Sequence, residues 1–375
     1  MTNGDRIRQA REIAGMTQQE LAEKIGVVQS HVALFEQNLR QPQEHTLRAI
    51  ALATGFPPAF FRRESAPEFP LGSLLYRRRK SMGSKDRDRV RQAGRLVFEV
   101  VLDMAERFKP LDLRLPKIAD VEPELAATMT RADLGFSPDT PITHFINRLE
   151  KNGVVIAAVP YQIDEHDAFS AWADTDPRTP VIVMTAGRPA DRQRWNVAHE
   201  TGHLVMHYNY RGSPAELEAE AHRFAAEFLL PEDAIRKDLD AGPLTLTFLA
   251  DLKSRWGVSM RALIMRAFHL DIISDGQRRY LFRQMAVKKW VLKEPVCIPQ
   301  EKPRLLRKLA EALYGPHFDV KSIAGPLGIP APILRSVIDL YASALEMKGI
   351  APSARPALVP ERGRLLTMLP RGPEH

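Results

Sequence analysis

The chain has 375 residues, 44% hydrophobic and 26% charged, a composition of folded globular proteins and a length that favours two or three domains. No apolar run approaches the roughly 18 residues that a bilayer span needs, and the polar start MTNGDRIRQAREIAG reads against a signal peptide. A single cysteine, Cys297, excludes an intrachain disulfide and any thiolate cluster for a metal, so a cytoplasmic protein without membrane contact is expected.

The net charge of +7 is unevenly placed. Residues 1–61 hold six Lys/Arg and six Asp/Glu, so that stretch is formally neutral. Residues 76–95, YRRRKSMGSKDRDRVRQAGR, hold nine basic and two acidic residues, a surplus equal to that of the whole chain. The stretch is read either as a solvated linker or helix surface, or as a phosphate-contacting arm beside a DNA-binding module.

In chain order, residues 4–55 predict a run of short helices. Ile7, Ala10, Ile13 and Ala14 mark the first. Thr17 with Glu20 three residues on predicts a capping box for the second, buried through Leu21, Ala22 and Ile25 and ended by Gly26. Val28, Val32, Leu34 and Phe35 supply the third, and Leu47, Ile50, Ala51 and Ala53 a fourth that closes at Gly55. Helix, short glycine-containing turn, helix is a helix-turn-helix arrangement.

A proline-rich stretch (57–70) and the basic stretch (76–95) read as a connection, followed by helical periodicity through Phe108. Three strands are predicted at 154–160, 169–174 and 179–185. Helices follow at about Asp191 to His207 and Pro214 to Leu230, with two more in 244–273. The last 81 residues hold 12 of the 29 prolines; within them 320–342 reads as a second, degenerate helix-turn-helix pair, and the tail from about 351 as loosely ordered.

The 191–207 helix carries His199-Glu200-Thr201-Gly202-His203, an H-E-x-x-H pattern. Positions i and i+4 share a helix face, so both imidazoles can reach one zinc ion. Glu200, rotated by about 100°, sits beside the metal as a candidate general base. The small Thr201 and Gly202 are expected to leave room for a substrate backbone. A catalytic site needs a third protein ligand and an open position. The next helix offers Glu216, Glu218, Glu220 and His222, and its expected buried face is Ala221, Phe224, Ala225 and Phe228. Glu220 borders that face and is the favoured third ligand, with His207 and His222 as alternatives. Glu216 reads as a helix-start residue and Glu218 as solvated on the opposite side. The strand TPVIVMT ends just before the metal helix, and as a sheet edge it would pair with an extended peptide.

RWNVAHETGHLVMH followed by EAHRFAAEFLLP resembles the ImmA/IrrE family of metallopeptidases over roughly residues 90–290. The resemblance implies a zincin-like core with His199 and His203 as ligands, Glu200 as base and Glu220 as third ligand. His222 stands where that family usually has Asn or Asp. In the same way MTQQELAEKIGVVQSHVALFEQNLRQPQEHTLRAIALATG resembles the Xre/Cro-type helix-turn-helix family over about 4–61. That resemblance implies a third helix in the major groove, with Gln29, Ser30 and His31 facing base edges and Gln18 and Arg40 reaching the backbone. Glu36 is expected to pair internally with the scaffold.

The fold class expected is α+β and mostly helical: an all-α helix-turn-helix domain, a zincin-like core with a small sheet, and a helical C-terminal region. The expected boundaries are 1–61 for DNA binding, 62–95 for the linker or arm, 96–290 for the peptidase and 291–375 for the C-terminal region. The function expected is a homodimeric, operator-binding regulator with a Zn2+-dependent endopeptidase domain. That domain would cut a specific partner protein, or the chain itself, in a stress, prophage or toxin–antitoxin setting. The alternatives are a non-catalytic repressor or antitoxin whose zinc domain senses or docks, and a general peptidase that uses its helix-turn-helix to dock protein substrates.

Overall fold

The computed structural model describes residues 1–65, 84–107, 113–159, 168–173, 178–208, 212–291 and 293–342. The chain runs through α1 (Gly4–Ile13), α2 (Gln18–Ile25), α3 (Gln29–Glu36), α4 (Glu44–Thr54), a 3-10 turn (Pro58–Arg62), α5 (Ser84–Arg107), α6 (Pro123–Asp133) and α7 (Phe145–Lys151). Three strands follow, β1 (Val155–Val159), β2 (Ala168–Ala173) and β3 (Thr179–Thr185). Then come α8 (Ala190–Met206), α9 (Pro214–Leu229), α10 (Glu232–Leu239), α11 (Leu246–Trp256), α12 (Met260–His269), α13 (Asp275–Val287), α14 (Leu305–Tyr314), α15 (Val320–Leu327) and α16 (Ala331–Ile338). The architecture is α+β and mostly helical. The expected tail beyond 351 and residues 76–83 of the basic stretch lie outside the described residues.

Two compact units divide the chain: residues 1–109, 157–166 and 305–375 form one, and 110–156 with 167–304 form the other. The first unit opens with the expected helix-turn-helix. Thr17 Oγ1 accepts from Glu20 N–H while Glu20 returns the bond to Thr17 N–H, a complete capping box. Gly26 takes the left-handed conformation, φ 70°, that ends α2 at the turn before α3. Ile7, Ala10, Leu21, Val32, Leu47 and Ile50 close the core between these helices.

Helix α5 runs across the boundary expected at residue 95 and belongs with α1, its face of Leu96, Val97, Val100, Val101 and Met104 being buried. Several cations of its basic half meet acids or a backbone carbonyl of the first two helices. Lys85 pairs with Glu20 at 2.8 Å, Arg91 with Glu12 at 3.6 Å and Arg95 with Asp5 at 2.8 Å, while Arg89 donates to Ile13 O at 3.1 Å. The Lys85 bond holds the Glu20 carboxyl down to about 2. Asp5, Glu12 and Glu20 of the neutral module are thus partners of the basic helix. Helices α15 and α16 form the expected second helix-turn-helix pair, with Gly328 left-handed at φ 59° between them.

The three-stranded sheet has the order β1-β3-β2. Strand β2 is antiparallel to β3, from Ala168 opposite Met184 to Ala173 opposite Thr179. The expectation that TPVIVMT forms a sheet edge is therefore corrected: β3 is central and buried from Pro180 to Thr185. A continuous apolar run rather than an alternating one is what a strand covered on both faces requires. Both β2 and β3 pack on α8, which in turn packs on α6 and α9. Accordingly α8 is buried on nearly every side, 13 of its 17 residues being buried.

Candidate functional site

Helix α8 sets the site because its sequence keeps polar chemistry inside a core. Its first turn is pinned by Asp191, which accepts from the buried Lys253 of α11; Lys253 also donates to Glu294 at 2.7 Å. Its last turn is held by Trp172 of β2, whose Nε1 donates to Leu204 O at 3.0 Å. Two turns of that fixed helix then carry His199 and His203, and their Nε2 atoms lie 3.2 Å apart.

Helix α9 brings up the third group. Ser213 caps it in a capping box with Glu216, whose carboxyl is held below its ordinary value by the Ser213 hydroxyl. Glu216 is therefore a capping residue, as its place at the helix start suggested. Leu217, Ala221, Phe224, Ala225 and Phe228 face the core. Glu218 reaches the two imidazoles: Oε2 lies 3.4 Å from His199 Nε2 and Oε1 3.3 Å from His203 Nε2. Among the described residues these three form the group whose ligand atoms all lie within 4.8 Å of one another.

This placement does not bring Glu220, the expected third ligand, to the two motif histidines. Glu220 Oε2 lies 2.8 Å from His207 Nε2 instead, away from the His199–His203–Glu218 group. On a helix with 100° per residue, Glu218 and Glu220 lie about 80° to either side of the buried stripe. They are symmetric flanks, and only the way α9 crosses α8 decides which one meets His199. His207, an alternative ligand, ends α8 and touches His203 through Nδ1 at 2.9 Å. Burial, and then the neighbouring His203, hold the His207 imidazole below its ordinary value, against the pull of Glu220. His222, the other alternative, is exposed, with its ring centroid 4.4 Å from that of His199.

Glu200 is 1% exposed, and its Oε2 accepts from Ser170 Oγ of β2 at 2.7 Å. Sequence reasoning missed Ser170. A serine in a predicted strand carries no motif, and only the packing of β2 against α8 reveals the contact.

The small residues within the motif have a different role from the one expected. Thr201 is fully buried and donates to Val197 O at 2.7 Å. A Cβ on Gly202 would come within 2.9 Å of the Phe224 ring and 3.2 Å of its Cβ. Gly202 is thus small so that α8 and α9 can approach, rather than to admit a substrate backbone. Gly202→Val is expected to cost about 1–3 kcal/mol as overpacking and to weaken metal retention through the displaced α9. Urea denaturation together with metal content checks this; unchanged stability would mean that Phe224 yields freely.

In the first unit the expected DNA-facing residues are partly pre-positioned. Glu36, 3% exposed, accepts from Arg11 Nε at 2.5 Å and from Gln18 Nε2 at 2.8 Å. Gln18 Oε1 in turn accepts from Gln29 Nε2 at 2.7 Å. Ser30 is exposed in the first turn of α3, and His31 Nε2 lies 2.9 Å from Arg40 Nη1. Glu36 is the internal pairing residue expected.

Residues 7–61 match the helix-turn-helix family model, and residues 149–268 match the model of the IrrE N-terminal-like domain, a peptidase family. The chain therefore joins an Xre-type DNA-binding module to an IrrE/ImmA-like metallopeptidase domain. The second match runs from the end of α7 through most of α12 and so contains every residue of the His–Glu group. No curated protein matches the chain. Among the described residues no helix is long and apolar enough to cross a membrane.

Proposed function

We propose that this regulator is a cytoplasmic, zinc-dependent endopeptidase that cuts one partner protein, or itself, to control genes whose operator it binds. The observation that supports the reading most is the spacing of the donor atoms. Zinc bonds of about 2.0–2.1 Å in a tetrahedron place neighbouring ligand atoms about 3.3–3.4 Å apart. The His199–His203, His199–Glu218 and His203–Glu218 separations are 3.2, 3.4 and 3.3 Å. Two imidazoles and one carboxylate are also the donor types zinc takes in hydrolytic sites that keep a fourth position open.

A bound zinc ion would supply Lewis acidity, polarising a peptide carbonyl and lowering the pKa of water. The chain's own residues supply the proton handling. Glu200 stands next in sequence to His199 and presents its carboxylate as the base that takes the proton of the attacking water and passes it to the leaving amine. The Ser170 hydroxyl, by donating to Glu200 Oε2, holds the carboxylate in one rotamer. His199, His203 and Glu218 hold their places because α8 and α9 are locked together through Gly202 and Phe224.

For DNA, we assign Gln29, Ser30 and His31 to base edges and Gln18 and Arg40 to the backbone. Gln18 and Gln29 are already linked, so little side-chain freedom is lost on binding. A two-fold operator and a homodimer are the arrangement that such a module uses.

Glu200→Gln is the test. It is expected to lower cleavage of the partner by about 10²–10⁴-fold, the share of a general base, while metal content and operator affinity stay at wild-type values. Gene control by the variant in cells at the wild-type level would favour the second reading, a repressor or antitoxin whose metal domain docks a partner.

A further inference from the structure

Glu220 and His207 lie outside the proposed ligand group, and we infer that they position it: Glu220 orients His207, and His207 fixes the tautomer and ring angle of His203. This rests on the ligand reading above. His203 Nδ1 and His207 Nδ1 are 2.9 Å apart, and His207 Nε2 and Glu220 Oε2 are 2.8 Å apart.

The proton positions follow from the ends of this chain. His203 turns Nε2 toward His199 and Glu218, and as a ligand atom that nitrogen carries a lone pair. The His203 proton is then on Nδ1, where it donates to His207 Nδ1. His207 therefore keeps its own proton on Nε2 and donates it to the Glu220 carboxylate, which only accepts. The other His207 tautomer would set two N–H groups face to face at 2.9 Å and turn a lone pair to the carboxylate. One arrangement satisfies all three groups.

His207 is itself held in place. Its backbone N–H donates to His203 O at 3.0 Å, and the residue is 8% exposed. Glu220, by contrast, has a side chain 43% exposed. The chain thus runs from a surface carboxylate to a buried imidazole. Partners of this kind set a ligand's orientation and basicity, and their loss typically costs about 10–100-fold in metal affinity. Glu220 and His207 are positioning residues in this arrangement, which also accounts for their presence on the right helix faces without membership of the ligand group.

The experiment uses the full chain. Zinc affinity is measured by competition with a chromogenic chelator, and the visible absorption of the Co(II)-substituted protein reports the geometry around the ion. Circular dichroism confirms that each variant is folded. His207→Phe, which keeps a ring and removes both nitrogens, is expected to bind one ion about 10–100-fold more weakly and to shift the Co(II) bands. His207→Gln, which keeps one acceptor and one donor, is expected to recover much of that loss. Glu220→Gln, at an exposed position that folding tolerates, is expected to fall between His207→Phe and wild type. A folded His207→Phe protein with wild-type affinity and an unshifted Co(II) spectrum overturns the inference. So do equal losses in His207→Phe and His207→Gln, which mean packing alone. Failure of the wild-type chain to take up zinc or cobalt overturns the ligand group itself, a result distinct from both.

Discussion

Glu218→Ala is expected to reduce bound zinc from about one ion per chain to near none after dialysis, whereas Glu220→Ala retains the ion with weakened affinity. Elemental mass spectrometry of the purified proteins reads both. The expectation comes from contact: Glu218 faces both motif histidines within 3.4 Å, and Glu220 faces neither of them but His207. Zinc in this donor set depends on a charged oxygen to close the triangle begun by two neutral imidazoles. Its loss leaves two ligands on one helix, too few to hold the ion against dialysis. The reverse pattern, metal lost with Glu220 and kept without Glu218, would restore the assignment that the sequence favoured.

Glu36→Ala carries the largest expected loss of stability. The Glu36 side chain is fully buried and takes hydrogen bonds from Arg11 at 2.5 and 3.0 Å and from Gln18 at 2.8 Å. Truncating it leaves the Arg11 guanidinium, 9% exposed, without its main counter-charge. Removal of one partner from a buried pair costs about 3–5 kcal/mol, against a total of about 5–15 kcal/mol for a typical domain. Thermal and urea unfolding of the first unit are expected to shift accordingly, and operator binding to fall with the freed Gln18. The double variant Glu36→Leu with Arg11→Leu is expected to regain most of the stability, because it removes the stranded charge as well. A loss below about 1 kcal/mol in Glu36→Ala, the size of an exposed pair, would mean that Arg11 escapes to solvent.

What the sequence made legible was local. The Thr17–Glu20 box, the glycine stop at Gly26, the apolar strand runs and the proline that bounds α9 are signals confined to a few residues, and the elements follow them within a residue or two. The two histidines and Glu200 were legible for the same reason, since one helix fixes their mutual geometry. What the sequence hid depends on how elements cross. Glu218 and Glu220 flank one buried stripe symmetrically, so periodicity alone could not choose between them. Ser170 becomes part of the site only because β2 lies across α8. TPVIVMT reads the same whether a strand is central or at an edge. The basic half of α5 reads as free charge until the acids of α1 and α2 are seen beside it.

With the proposed metal in place, the burial of α8 on nearly every side would tie metal supply to protein lifetime. An ion held by a helix in the middle of a core binds only the folded state, so its binding free energy adds to folding by mass action. At free metal about 100 times its dissociation constant the gain is about 2.7 kcal/mol. When the proposed metal is scarce the second unit would lose that increment, open more often and meet proteases more often. With the proposed metal and operator, the abundance of the regulator and its occupancy of DNA would then be set partly by how much metal the cell can spare.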